Sequence, residues 1–201
     1  MPIKALLFDF GGVLMRTEDW SGRVKWAKRL GFEPMELHDA VFGSPVAQVA
    51  TVGKATEAAA WESARQQLCI PPEEFVEFKT DFWAGDQLDE NLLDWIIARR
   101  GKYRTGILSN YWGNGRELFS GYPKIVAAFE ELVISAEEGI RKPEPEIYER
   151  ALKRLNVSAA EAVFVDDVME NVVAARWIGM AAIHFKAGID VPGEMARLGV
   201  G

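Results

Sequence analysis

The sequence predicts an α/β fold, a doubly wound parallel sheet carrying a small all-helical second domain. Three observations predict it. Apolar runs at 3–8, 105–108, 132–134, 162–165 and 181–185 are short and continuous, as strands covered on both faces are. Segments with helical periodicity separate them, and strand–helix alternation builds parallel crossovers. The stretch 16–85 breaks this rhythm, with helical patterns and no convincing strand.

Each element has a local reason. Residues 91–100 place Leu92, Leu93, Ile96 and Ile97 on one helical face and end at Gly101, a C-terminal stop signal. Residues 146–155 follow Pro143 and Pro145, which suit a helix entry. Residues 170–178 end at Gly179. Within the insert, helices are predicted at 21–30, closed by Gly31, at 34–42, closed by Gly43, and at 56–68 and 72–83. About seventy residues is too long for one crossover. The predicted division is therefore a core of 1–15 plus 86–201 and a helical domain of 16–85, joined by flexible segments at 16–19 and 84–87.

Bulk properties exclude several function classes. The 201 residues, 49% hydrophobic, suffice for a sizeable core. A net charge of −7 argues against nucleic acid, whose binders need a basic face, and against anionic membranes. No apolar run reaches the ~18 residues of a membrane span, and no leader pattern precedes the first strand, so a cytoplasmic location is expected. The one cysteine, Cys69, excludes an intrachain disulfide and reads as a small buried apolar residue. The two histidines, His38 and His184, are far apart, and no Walker loop or nucleophile elbow is present. Trp26, Trp61, Trp95 and Trp177 sit at helical positions that read as packing. Trp112 and Trp20 are better placed to line a pocket. The expected assembly is a monomer or a homodimer.

Four sites at strand ends carry the chemistry. Asp9 closes the first apolar run and opens Phe10-Gly11-Gly12-Val13-Leu14, the place where open α/β sheets hold their ligands. A carboxylate there can act as a nucleophile, and Gly11 and Gly12 allow a sharp turn and close backbone approach. Ser109 and Asn110 follow the second run, where a hydroxyl and a backbone N–H can take a phosphate oxygen. Lys142 lies in Gly139-Ile140-Arg141-Lys142-Pro143-Glu144, and the following proline favours an extended backbone. Its ammonium offsets carboxylate and phosphate charge, whereas Arg141 reads as a surface or supporting charge. Asp166 and Asp167 end the fourth run. Two adjacent acids are costly to bury without a cation or hydrogen bonds, and Mg²⁺ commonly takes one or two carboxylates plus substrate phosphate.

Taken in order, Phe-Asp-Phe-Gly-Gly-Val-Leu, Leu-Ser-Asn, Arg-Lys-Pro-Glu and Asp-Asp-x-x-x-Asn resemble the four motifs of the haloacid dehalogenase-like (HAD) hydrolase superfamily. The likeness spans nearly the whole chain and is nearest to cap-type-one members around the glucose-1-phosphate phosphatases and epoxide-hydrolase N-terminal-like enzymes. The resemblance implies a Rossmann-like core with 16–85 as a helical cap. It also implies a Mg²⁺-dependent phosphatase acting on a small phosphorylated metabolite, a sugar phosphate among the candidates, through an aspartyl-phosphate. It assigns Asp9 as nucleophile, and Asp9, the Gly11 carbonyl and Asp167 as metal ligands. It assigns Gly12, Ser109, Asn110 and Lys142 to the phosphate, with Asp166 and Asn171 as supporting residues. One departure stands out: most of these phosphatases carry a second Asp where this chain has Gly11, and Gly11 cannot shuttle a proton. Glu18 or Asp19 could supply that acid from the linker. Metal-independent 2-haloacid dehalogenation and a non-catalytic phosphometabolite-binding role are the alternatives. The 44–54 stretch carries no readable specificity code.

Overall fold

The computed structural model describes residues 1–201. In chain order the elements are β1 (Ala5–Phe8), β2 (Met15–Thr17), α1 (Ser21–Leu30), α2 (Pro34–Phe42), α3 (Pro45–Ala50), α4 (Glu57–Gln67), a 3₁₀ turn at Pro72–Glu74, and α5 (Phe75–Trp83). Then come β3 (Asp86–Leu88), α6 (Glu90–Ile97), β4 (Arg104–Ser109), α7 (Gly115–Ser120), α8 (Pro123–Ala128), β5 (Glu131–Ile134) and α9 (Ser135–Glu138). The chain ends with α10 (Pro145–Leu155), a 3₁₀ turn at Ala159–Glu161, β6 (Ala162–Asp166), α11 (Met169–Trp177), β7 (Ala181–His184) and α12 (Val191–Arg197).

Five strands form one parallel sheet in the order β5-β4-β1-β6-β7. The chain runs outward from β1 to one edge, then returns to fill the other, so a crevice opens at the C-terminal end of β1. The register aligns Phe8 with Ile107 on one side and Val165 on the other. Asp9, Ser109 and Asp166 thereby reach the same rim. Alternation along β1 sends Leu6 and Phe8 into one core and Ala5 and Leu7 into the other, as the two-residue period of a strand requires. All four are fully buried, which explains why β1 reads as a continuous apolar run.

Residues from Ser21 to Trp83 form a helical lobe with its own core of Trp26, Leu37, Val41, Trp61, Phe78 and Phe82. Its helices start and stop on local signals. Pro34 opens α2 behind a capping box between Glu33 and Glu36, and Gly31 closes α1 at φ 80°. The helix α3 lies in the stretch without a readable code. Ser44 caps it by accepting the Ala47 N–H, with Pro45 in the first turn.

The connections to the lobe differ from the flexible segments predicted. Met15–Thr17 pairs antiparallel with Asp86–Leu88, so the strand-free stretch 16–85 begins inside a strand and the two passages form a ribbon. The Arg23 guanidinium, buried beside it, donates to the Phe82 carbonyl and to Asp86 Oδ1, each at 3.0 Å, and lies 4.3 Å from the Phe82 ring. The Thr17 hydroxyl donates to the same Asp86 oxygen at 2.6 Å. Removing one partner of a buried pair strands the other charge. Asp86→Ala is expected to destabilise the protein by about 3 kcal/mol, with Asp86→Asn losing less. Urea denaturation reads the difference, and an unchanged midpoint in Asp86→Ala would exclude this role for the pair.

Two packing expectations are corrected. Cys69 is exposed, because it turns the chain out of α4 at φ 53° instead of facing a core. Trp177 is 79% exposed, on the outer face of α11, whereas Trp26 and Trp61 are buried as predicted. Trp95 is partly buried against the sheet core.

Candidate active site

Asp9 follows β1 and is 7% exposed. One carboxylate oxygen accepts the Phe10 N–H at 2.7 Å, and the other lies 2.8 Å from Lys142 Nζ. Lys142 Nζ also donates to Asp166 Oδ2 at 2.7 Å. The Lys142 side chain is fully buried between these acids, an unusual place for a lysine unless it is paired. Burial works against its charge, yet Asp9 and Asp166 outweigh that effect and hold its pKa above the ordinary lysine value.

Backbone contacts set the lysine's direction. The Asn110 side chain accepts the Lys142 N–H and donates to the Lys142 carbonyl, both at 2.9 Å. This double bond to the main chain uses the Asn110 amide for orientation, so any phosphate contact there falls to the backbone. Ser109 is buried beside it at the end of β4.

Asp166 is fully buried and held from several directions. Besides Lys142, it accepts from the Val168 N–H at 2.8 Å and from Asn171 Nδ2 at 3.0 and 3.1 Å. Asn171 is fixed in turn by the Tyr148 hydroxyl, which donates to its carbonyl at 3.0 Å. Asp167 is exposed. Its pKa is raised by desolvation and by the charge of Asp166. Asp9 is pushed up to about 7, mainly by burial, with Lys142 opposing and Asp166 reinforcing.

Oxygens of Asp9, Asp166 and Asp167 all lie within 4.8 Å of one another. Three carboxylates therefore share one ammonium, a charge imbalance that a hard divalent ion with oxygen ligands fits. The turn beside them is built for closeness. Gly12 sits at φ 75°, and a Cβ there would fall 2.1 Å from Asp167 Oδ2. Gly11 is different: a Cβ on it meets nothing within 4 Å and its φ is not positive.

The lobe closes one side of this rim. A cleft of about 450 Å³ is lined by Phe42, Gln48 and Thr51 of the lobe and by Asn110, Trp112, Lys142 and Asn171 of the core, among others. Trp112 projects from the end of β4 into the lobe, 5.4 Å from Phe42 and 5.8 Å from Trp61 between ring centres. The Ser135 hydroxyl, after β5, donates to the Thr51 carbonyl at 2.6 Å. Trp20 instead lies over the Arg23 guanidinium at 5.3 Å. Glu18 accepts from Arg16 and Asp19 accepts the Ser21 N–H, so both linker acids are engaged locally. Sequence reasoning missed Tyr148, Gln48 and His184, whose ring nitrogen is 2.9 Å from the Asp167 carbonyl oxygen. Only the Ser44-Pro45 helix start offered a signal, for the element that carries Gln48.

The chain is similar to several known proteins. The D-ribitol-5-phosphate phosphatase of Bacteroides thetaiotaomicron is 27% identical over 199 residues, 94% of each chain. The sesquiterpene phosphatase astK of Aspergillus oryzae is 44% identical over 70 residues, 35% of this chain and 36% of that one. A crystal structure of a HAD family enzyme from B. thetaiotaomicron, in complex with magnesium and inorganic phosphate, superimposes with a TM-score of 0.76 at 24% identity, covering 96% of this chain and 98% of that one. No helix is long and apolar enough to cross a membrane. A family model for haloacid dehalogenase-like hydrolases matches residues 3–179, and the chain is a member of that hydrolase family.

Proposed function

We propose that this chain is a Mg²⁺-dependent phosphatase for a small phosphorylated metabolite, with Asp9 as the nucleophile. The observation that carries the reading is the buried ion set: Lys142 held between Asp9 and Asp166, with Asp167 completing a cluster of three acids. Asp9, Asp167 and the Gly11 carbonyl would hold the ion, and Asp166 and Asn171 would support them. When bound, Mg²⁺ supplies positive charge to the phosphoryl oxygens.

The chain's own residues do the rest. An Asp9 oxygen attacks phosphorus, the bond to the leaving oxygen breaks, and an aspartyl-phosphate forms; water then releases phosphate and regenerates the carboxylate. Lys142 offsets charge on both reacting groups, which is the main task in phosphoryl transfer. Ser109, the Gly12 backbone and the Asn110 backbone border the phosphoryl position. The helical lobe acts as a cap that limits water and substrate size. The cleft favours a sugar or polyol phosphate, since aromatic Phe42 and Trp112 lie beside Gln48, Thr51, Arg141 and Glu170, a mix of apolar faces and hydrogen-bonding groups.

The test is phosphate release across a panel of phosphate monoesters, with Mg²⁺ and with excess chelator. Mg²⁺-dependent release supports the reading. Halide release from 2-haloacids without metal, alongside no phosphate release, would replace it with dehalogenation. The glycine turn gives a separate check by calorimetric Mg²⁺ titration. Gly12→Ala forces a Cβ onto Asp167 and should weaken Mg²⁺ binding by ~10–100-fold, while Gly11→Ala, with open space around its Cβ, should bind as wild type does. Equal binding by all three would refute the ligand assignment of Asp167.

A further inference from the structure

We propose that Arg141 is a specificity-determining residue, which binds a hydroxyl oxygen of the substrate remote from the phosphate in place of Gln48. The proposal deepens the phosphatase reading and rests on it.

Arg141 precedes Lys142 and lines the same cleft. Its guanidinium is half-buried and donates to Gln48 Oε1 on α3. The Gln48 amide is itself oriented, because Nε2 donates to the Phe42 carbonyl at 2.9 Å. That bond turns the acceptor oxygen toward Arg141 and leaves the pair as a neutral–charged contact between lobe and core. Many other arginines of this chain pair with carboxylates, among them Arg16, Arg23, Arg104, Arg116 and Arg150. Arg141 pairs with none. A guanidinium carries five N–H donors in a fixed fork, and Gln48 takes one of them through Nη1. The remaining donors border a cleft that Thr51, Asn110, Tyr111, Glu170, Asn171 and Lys142 also line, the lysine already paired with Asp9 and Asp166, with Phe42 and Trp112 as walls.

This arrangement reads a neutral, hydroxylated substrate body. Arg141 offers donors, Glu170 offers acceptors, and the aromatic rings cover C–H faces. A second anionic group would meet Glu170 in the same cleft, so the class favoured is a short polyol or sugar monophosphate. A hydroxyl oxygen that accepts from Arg141 takes over a bond now made by the lobe, so the substrate itself bridges lobe and core. Arg141 touches the non-reacting end, and its effect falls on KM more than on kcat.

The experiment pairs two ligand sets with the full-length chain. D-ribitol 5-phosphate carries remote hydroxyls; phenyl phosphate and inorganic phosphate do not. Arg141→Met keeps the apolar stem and removes the donors. Expected is a ~10-fold or larger rise in KM for D-ribitol 5-phosphate, with phenyl phosphate turnover altered by no more than about two-fold. A parallel calorimetric arm with Mg²⁺ present uses the Asp9→Asn background, comparing D-ribitol 5-phosphate with inorganic phosphate, with and without Arg141→Met. Equal losses on both ligand sets would show that Arg141 merely steadies Lys142, and no loss on either would show that it reads nothing; both overturn the proposal. If wild type releases no phosphate from any ester, yet Arg141→Met selectively weakens D-ribitol 5-phosphate binding, hydrolysis is refuted and the Arg141 assignment stands. If wild type releases no phosphate from any ester and neither ligand binds, both readings fall.

Discussion

Asp9→Asn is expected to fold as wild type does and to lose about 10⁴-fold or more in phosphate release. The amide keeps the shape of the carboxylate and can still accept the Phe10 N–H, which Asp9 Oδ1 takes at 2.7 Å. It cannot attack phosphorus, because a neutral amide is a poor nucleophile. Folding should survive, since the substitution removes one of three clustered negative charges and Lys142 keeps Asp166 at 2.7 Å. Loss of activity with an unchanged melting temperature therefore separates chemistry from stability. Undiminished turnover would remove Asp9 from the nucleophile role.

Gly11→Asp is expected to raise turnover, which sets it apart from ordinary active-site substitutions. General acid–base help is worth roughly 10²–10⁴-fold, and no acid stands at this position in the chain. Glycine is not needed there for backbone or space: a Cβ meets nothing within 4 Å, and φ is not in the left-handed region. Glu18 and Asp19, the nearby acids that could substitute, are held by Arg16 and by the Ser21 N–H. The kcat of wild type should consequently depend steeply on leaving-group pKa, with aryl phosphates and sugar-1-phosphates turned over faster than alkyl esters, polyol phosphates among them. In Gly11→Asp the slope should flatten, with alkyl esters gaining ~10²-fold and aryl esters little. A rate series over graded esters measures it. A flat wild-type slope with fast turnover would show that another group or a bound water already carries the proton.

The sheet and the four strand-end sites are legible in the sequence for one physical reason. The three inner strands β4, β1 and β6 are buried on both faces, so Leu6, Leu7, Leu108, Val163 and Phe164 leave continuous apolar runs, and the polar residues that interrupt them mark the rim. The lobe helices α1, α2, α4 and α5 are legible because their boundaries are local, as with Gly31 after α1 and Pro34 at the start of α2; α3, at Pro45–Ala50, is not among the helices predicted. What escapes the sequence is pairing across distance. Thr17 meets Asp86, 69 residues away, in a ribbon of three-residue half-buried strands with no periodicity to read. Arg141 meets Gln48 across 93 residues, and nothing near either residue announces the other. Cys69 and Trp177 fail for a related reason. Residue type alone favours burial for both, but their exposure depends on a left-handed turn and on which helix face the sheet happens to cover.

The placement of β1 at the centre of the sheet also fixes an order of assembly. Ala5–Phe8 precedes every other strand of its sheet in the chain, yet its partners are Arg104–Ser109 and Ala162–Asp166. The lobe helices are complete by Trp83, and of the lobe's buried core only Trp112 comes from beyond them. Contacts between sequence neighbours form quickly, whereas parallel pairing over long separations is slow. On the ribosome, the lobe has all its helices while β1 is still an unpaired apolar segment, the kind of surface that invites aggregation in large folding intermediates. Asp9 is made before the lobe, and acquires Lys142 and Asp166 only after the lobe has emerged.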